Sequence, residues 1–90
     1  MKIVIVGAGN AGRILARRLC REERFSVVMI DESEEALAVA QESLDVMTVC
    51  GSGSDPAVLE QAEADKAGIL VSVTDSDETN ILTCLFARAA

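Results

Sequence analysis

The 90-residue chain contains no histidine, tryptophan or tyrosine, and these absences narrow its chemistry before any motif is read. Without histidine it lacks the usual general base near neutral pH and the commonest zinc ligand. Phe25 and Phe86 are the only aromatic residues, so the core has to be aliphatic, built from Ile, Val, Leu and Ala. Positive charge is scarce as well. A formal charge of −7 argues against nucleic acid, because a surface for a phosphate backbone needs a basic patch. The basic cluster that does exist, Arg13, Arg17, Arg18, Arg21 and Arg24, has helical spacing and reads as a solvated face, with Arg13 alone able to reach a phosphate. Cys20, Cys50 and Cys84 are far apart, odd in number and set among apolar residues. They read as buried cytosolic thiols, not as a disulfide set or a metal site. No apolar run approaches the ~20 residues of a membrane span. Met1-Lys2 opens straight into a core strand with no leader pattern. The expectation is one small domain, soluble and cytoplasmic, with no membrane insertion.

What is present begins at the amino terminus. Residues 3–6 are an unbroken β-branched run, suited to a strand buried on both faces of a parallel sheet. Gly7, Gly9 and Gly12 follow at once in the spacing G-x-G-x-x-G. After them Ile14, Leu15 and Leu19 have the spacing of a helix's buried stripe. Strand, glycine turn and helix together turn a weak pattern into a dinucleotide-binding signature. Gly7 allows the tight turn, Gly9 lets the backbone approach a pyrophosphate, and Gly12 lets the helix pack close to the strand. The helix start offers unpaired N–H groups and a partial positive charge. Residues 26–30 read as a second strand, with Asp31 at its carboxyl end. Asp31 stands 19 positions beyond Gly12, against ~20 for the acid that binds an adenosine ribose. A carboxylate there accepts hydrogen bonds from both ribose hydroxyls and repels a 2′-phosphate. The reading therefore favours NAD(H) over NADP(H).

Further along, Ser33 can cap a second helix, with Glu34 and Glu35 in its first turn and Leu37, Ala40 and Leu44 inward. Residues 46–49 read as a third strand and residues 50–54 as a flexible turn. Asp55 followed by Pro56 is a strong helix start, with Val58, Leu59 and Ala62 carrying that helix. Residues 69–73 make a fourth strand, and Asp77 caps a last helix with Ile81, Leu82, Leu85 and Phe86 inward. This alternation predicts an α/β fold, a Rossmann-like doubly wound parallel sheet of four strands in order 3-2-1-4. Ligands of such sheets lie across the carboxyl ends of the strands, at the switch point between strands 1 and 4. Residues 7–12, 31–32 and 74–77 should converge there, with Thr74 and Asp75 well placed. The 51–54 turn lies at the same edge, on the adenine side. Ser52 and Ser54 could hydrogen-bond a base or ribose, but small polar residues are equally ordinary turn formers.

Four stretches carry a more specific likeness: Met1-Lys-Ile-Val-Ile-Val-Gly-Ala-Gly-Asn-Ala-Gly12, Val28-Met-Ile-Asp31, Ser54-Asp-Pro-Ala-Val-Leu59 and Val71-Ser-Val-Thr-Asp-Ser-Asp-Glu-Thr-Asn80. In these the whole chain resembles the N-terminal nucleotide-binding domain of the TrkA family of potassium-uptake regulators, also called a KTN or RCK-type domain. The resemblance implies a cytoplasmic regulatory subunit that binds NAD(H), and sometimes adenine nucleotides such as ATP or ADP. It would sit at the inner face of the cell membrane by gating a membrane-embedded potassium transporter. Cofactor contacts carried over by position fall on Gly7, Ala8, Gly9, Asn10, Ala11, Gly12, Asp31, Ser52, Thr74 and Asp75. The chain departs from the family at Ser52, where an acidic or bulkier polar residue is usual. It departs again at Ala62-Glu63, where Ala-Gly is usual, and at Gly68, where Asp is. The family domain also runs on to six strands. By that measure residues 1–90 are a single Rossmann-type nucleotide-binding domain, truncated and the N-terminal fragment of a longer protein.

Three functions compete for such a domain: a regulatory binding module, the cofactor-binding half of an NAD-dependent dehydrogenase, and a siroheme- or flavin-type domain. A dehydrogenase needs a proton-handling residue beside the nicotinamide and a substrate-binding segment, and these 90 residues supply neither. Asp75, Asp77 and Glu78 read as acids at a helix start, not as catalytic bases. The regulatory module, not an enzyme, is the preferred reading. Self-association is also expected. Residues 69–73 would form an open, apolar sheet edge next to an apolar terminal helix, and a two-fold dimer pairing these segments would cover both.

Overall fold

The first strand, β1 (Lys2–Val6), sits inside the sheet because four of its residues carry apolar side chains to both faces. In the computed structural model, which describes residues 1–73, Ile3, Val4, Ile5 and Val6 are at most 1% exposed. Each such side chain contributes roughly 1.5–3 kcal/mol on burial. The chain continues through α1 (Asn10–Leu19), β2 (Ser26–Asp31), α2 (Glu34–Ser43), β3 (Met47–Cys50), α3 (Pro56–Gln61), a 3₁₀ turn at Ala64–Lys66, and β4 (Ile69–Ser72). The strands form one parallel sheet in the order β3-β2-β1-β4, with Val4 beside Val28 on one side and Leu70 on the other. This is the Rossmann-like arrangement expected. The predicted terminal helix, Cys84, Thr74 and Asp75 lie outside the described residues.

The two faces are covered by different helices. Ile3, Ile5, Val27 and Met29 point to one face and meet Ala16 of α1 and Leu37 and Ala40 of α2. Val4, Val6, Val28, Ile30 and Val49 point to the other, beneath Leu59 and Ala62. The connection after β3 thus crosses to the opposite face and returns on the far side of β1. That reversal puts the switch point between β1 and β4, at the carboxyl edge where α1 begins.

Two sequence expectations fail, each for a geometric reason. Ile14 is 53% exposed and does not join the buried stripe of α1. That stripe is Gly12, Leu15, Ala16 and Leu19, and Ile14 lies about 200° around the helix from Gly12 at 3.6 residues per turn. Cys50 is exposed, not buried, because it ends the edge strand β3 and alternates with buried Val49. Cys20 is half-buried and donates weakly to the Asp45 carbonyl; burial, reinforced by the Asp45 charge, raises its thiol pKa.

Strand and helix limits shift slightly as well, and β3 begins at Met47 with Val46 packed under α2's face as a flanking residue. Between α3 and the 3₁₀ turn stands Glu63, at φ 58°. An L-residue in this left-handed region costs roughly 1–2 kcal/mol. It is the position at which the family resemblance puts glycine. The Glu63 carboxylate is held by Lys2 Nζ at 2.9 Å and Lys66 Nζ at 3.1 Å, and those hydrogen bonds, Lys2's first, lower its pKa.

Candidate functional site

The site grows from the end of β1. Gly7 has φ 117°, a conformation that side-chain-bearing residues rarely adopt, and its N–H donates to the Ile30 carbonyl at 2.7 Å. The chain can therefore turn sharply while still laddered to β2. Ala8 is buried at 0% exposure, and its N–H donates to Asp31 Oδ2 at 2.8 Å. Gly9 is the N-cap of α1, in an extended conformation, and its carbonyl accepts the first helical hydrogen bond from Arg13 N at 3.0 Å.

The other two glycines of the turn differ in what surrounds them. A Cβ built on Gly12 would run into the Gly7 carbonyl, whose carbon lies 2.9 Å away. Glycine there lets α1 rest on the end of β1. A Cβ built on Gly9 would meet nothing within 4 Å. The space in front of the helix start is open.

α1 begins without a side-chain cap and with no acid in its first turn. The leading N–H groups of any helix lack intrahelical partners and carry the positive end of its dipole. Asn10 and Ala11, both exposed, stand in that first turn. Arg13 Nη2 donates to Asn10 Oδ1 at 2.6 Å, which holds a guanidinium over the same turn. An anion is the natural complement of this arrangement.

Asp31 closes the site from the β2 side. Its Oδ2 accepts from Ala8 N and its Oδ1 from Ser33 N, both at 2.8 Å, while its carbonyl accepts from Gly51 N at 2.9 Å. One residue thereby ties the glycine turn, the start of α2 and the end of β3. Ser52 follows Gly51, but its hydroxyl is engaged within its own turn: it lies 2.7 Å from Ser54 Oγ and accepts from Ser54 N at 3.2 Å. β4 arrives at the same edge, where Val73 N donates to the Val6 carbonyl at 2.8 Å. Thr74 and Asp75 come next in sequence.

Of the candidate contacts, Gly7, Ala8, Gly9, Asn10, Ala11, Gly12 and Asp31 are thus brought together in one cluster. Ser52 is tied to it through Gly51. Sequence reasoning missed the Ala8–Asp31 bond and the Asn10–Arg13 pair. The second had a signal, since residues three apart on a helix are neighbours. The first had none, because it depends on how β2 and the glycine turn lie side by side.

The parallel order, the crossover point and the glycine turn define a Rossmann-type domain of the nucleotide-binding class. The chain matches the family model of the TrkA-N domain over residues 3–90. It is 42% identical over 88 residues to the Trk system potassium uptake protein TrkA of Halomonas elongata, covering 98% of this chain and 19% of that protein. It is 42% identical over 84 residues to TrkA of Azorhizobium caulinodans, covering 93% of this chain and 18% of the relative. A TrkA homolog of Methanothermobacter thermautotrophicus is 36% identical over 88 residues, covering 98% of this chain and 40% of the relative. The chain belongs to the TrkA-N family. It spans about a fifth of the first two relatives and two fifths of the third.

Proposed function

We propose that residues 1–90 are a single nucleotide-binding domain, part of a longer regulatory protein that senses NAD(H) and adjusts potassium uptake. The observation that carries the binding half is the bare start of α1. Of the three α-helices among the described residues, α1 alone begins without a side-chain cap, and the space in front of Gly9 is open. In this reading the N–H groups at the start of α1 hold the pyrophosphate, since those of Gly7 and Ala8 are already donated to Ile30 and Asp31. The Asp31 carboxylate takes the ribose hydroxyls, Ser52 serves the adenine side, and Thr74 and Asp75, next in sequence after β4, complete the contacts at the switch point between β1 and β4. NAD(H) brings a redox-dependent charge to the site. The protein's part is to bind the two forms with different affinity, and that difference biases a conformational equilibrium.

The regulatory half rests on the relatives, which are named for potassium uptake. It makes the chain a non-catalytic cytoplasmic module, homo-oligomeric and peripheral to the membrane through its transporter. No helix among the described residues is long and apolar enough to cross a membrane. Calorimetric titration with NADH, NAD, NADPH and ATP tests the reading. Saturable binding of NADH or NAD, tighter than that of NADPH, is the expected result. Equal affinity for NADH and NADPH removes the role given to Asp31, and steady oxidation of NADH by the pure protein removes the non-catalytic assignment.

A further inference from the structure

Helix α1 carries a second concentration of positive charge, at the end away from the glycine turn. Exposed Arg17, Arg18 and Arg21 stand with Ile14 around an open depression of about 530 Å³. That volume falls within the roughly 300–1,000 Å³ of small-molecule sites. Residues three and four apart are neighbours on a helix, so the three guanidiniums share one side of the last turn and the residues just beyond it. Arg18 stands roughly 12 Å along the axis from Asn10 at about 1.5 Å per residue, too far to share a phosphate held at the helix start. Among the described residues none of the three makes an ion pair. The nearby acid Glu22 lies against Arg24 instead, 3.8 Å from its Nε. The negative end of the helix dipole supplies only about half a charge. Three cations thus crowd together without a counter-charge from a chain that has 15 acidic residues.

We propose that this depression is a second anion site, for a small soluble ligand that carries a chain of phosphates. A guanidinium offers a planar fork that donates two parallel hydrogen bonds to phosphate oxygens. One phosphate monoester carries about two negative charges at neutral pH, fewer than the three arginines supply, so a di- or triphosphate matches them better. The layout of charge favours a compact ligand over an anionic membrane. α2 lies on the same face of the sheet as α1 and exposes Glu35 and Glu42. Packed helices stand roughly 8–10 Å apart, about one Debye length at physiological salt. A flat anionic surface that met the arginines would therefore meet those carboxylates as well. A ligand seated in the depression meets the arginines alone. This site is separate from the glycine turn and does not depend on nucleotide binding there.

The test is calorimetric titration of the chain with inorganic tripolyphosphate. The host is Gly9→Asp, whose carboxylate stands where the α1 start would hold a phosphate, so that only the second site is read. Tripolyphosphate should bind saturably, one per chain, and more weakly as salt rises. Adding Arg17→Gln, Arg18→Gln and Arg21→Gln should weaken it by more than roughly tenfold, since the charged forks are gone. All three positions are exposed, and circular dichroism checks that the variant is folded. Placed in the otherwise wild-type chain, the same three substitutions should leave NADH affinity unchanged. Nuclear magnetic resonance of the unaltered chain gives a reading free of any variant: tripolyphosphate should shift the Nε–H signals of Arg17, Arg18 and Arg21. Shifts confined to Arg13 and the α1 start overturn the proposal. So does a Gly9→Asp chain that ignores tripolyphosphate, or one that binds it equally well without the three arginines. Binding to phosphatidylglycerol vesicles with none to tripolyphosphate overturns it too, in favour of a membrane. A chain that ignores NADH yet binds tripolyphosphate through these arginines supports the second site and removes the nucleotide reading of the first.

Discussion

Helices α1 and α2 start at the same edge of the sheet and lie on the same face, yet their first turns are built in opposite ways. α2 is closed by its own residues. Ser33 Oγ accepts from Ala36 N at 3.1 Å, and Glu34 and Glu35 add negative charge at the positive end of the dipole. α1 has glycine where α2 has serine, and no acid in the turn. α3 resembles α2, since Asp55 Oδ1 accepts from Ala57 N at 2.9 Å and Pro56 opens the helix. A side-chain cap is worth roughly 0.5–2 kcal/mol. The α1 start forgoes that stabilisation and is held instead by close packing of Gly12 on Gly7. In the proposed reading, an uncapped helix end fixed by close packing is what a phosphate site requires. α2 and α3 show helix starts closed by the chain's own side chains.

The most damaging change to this contrast is Gly12→Ala. The new methyl collides with the Gly7 carbonyl, which is backbone and cannot swing aside. Overpacking of this kind costs typically 1–3 kcal/mol, occasionally more, a large share of the 5–15 kcal/mol that holds a domain folded. Urea denaturation should show a clearly lowered midpoint. A wild-type midpoint would mean that α1 is not fixed by that contact.

Gly9→Asp converts the α1 start into an imitation of α3. The backbone there is extended and the space beyond it open, so the side chain fits. Stability should stay level or rise by a few tenths to about 1 kcal/mol, through the cap and the dipole. NADH affinity should fall by roughly a hundredfold or more, because a carboxylate then holds the place of the phosphate. Opposite signs in thermal melting and calorimetry are the signature. Retained binding would show that the α1 start is not the phosphate site.

A smaller effect is expected at Asp31. Asp31→Ala removes the acceptor for Ala8 N and, in the proposed reading, for the ribose. A charged hydrogen bond is worth on the order of 1.5–3 kcal/mol. The variant should lose about that much NADH affinity and most of its preference over NADPH. Ser33 N loses its partner too, so melting should be recorded alongside titration.

Much of this was legible in the chain because the signals are local. The β-branched run at residues 3–6, the glycine spacing, and the caps Ser33 and Asp55 each act within a few residues, and the strand order follows from them by topology. The exposure of Ile14 was readable too, since helical period puts it opposite Ala16, but a list of apolar residues hides that. Other features depend on neighbours far along the chain. The Ala8–Asp31 bond spans two strands, and Cys50 is exposed because β3 is an edge. The left-handed backbone at Glu63 emerges only when α3 turns toward β4, where Lys2 from β1 is waiting.

The smallest expected effect belongs to Ser33→Ala, which strips α2 of the cap that α1 never had. Ala36 N loses its acceptor, while Glu34 and Glu35 still face the dipole and Leu37 and Ala40 still anchor the helix on the core. The loss should be about 1 kcal/mol, or a melting point lower by roughly 4–8 °C in a domain of this size. Nucleotide affinity should not move beyond twofold. The substitution keeps the Ser33 N–H, so the bond to Asp31 Oδ1 that orients the carboxylate survives. Titration of NADH into Ser33→Ala is therefore the control for the whole contrast. If affinity falls together with stability, the start of α2 is part of the binding surface, and the division between a self-capped helix and a ligand-capped one fails.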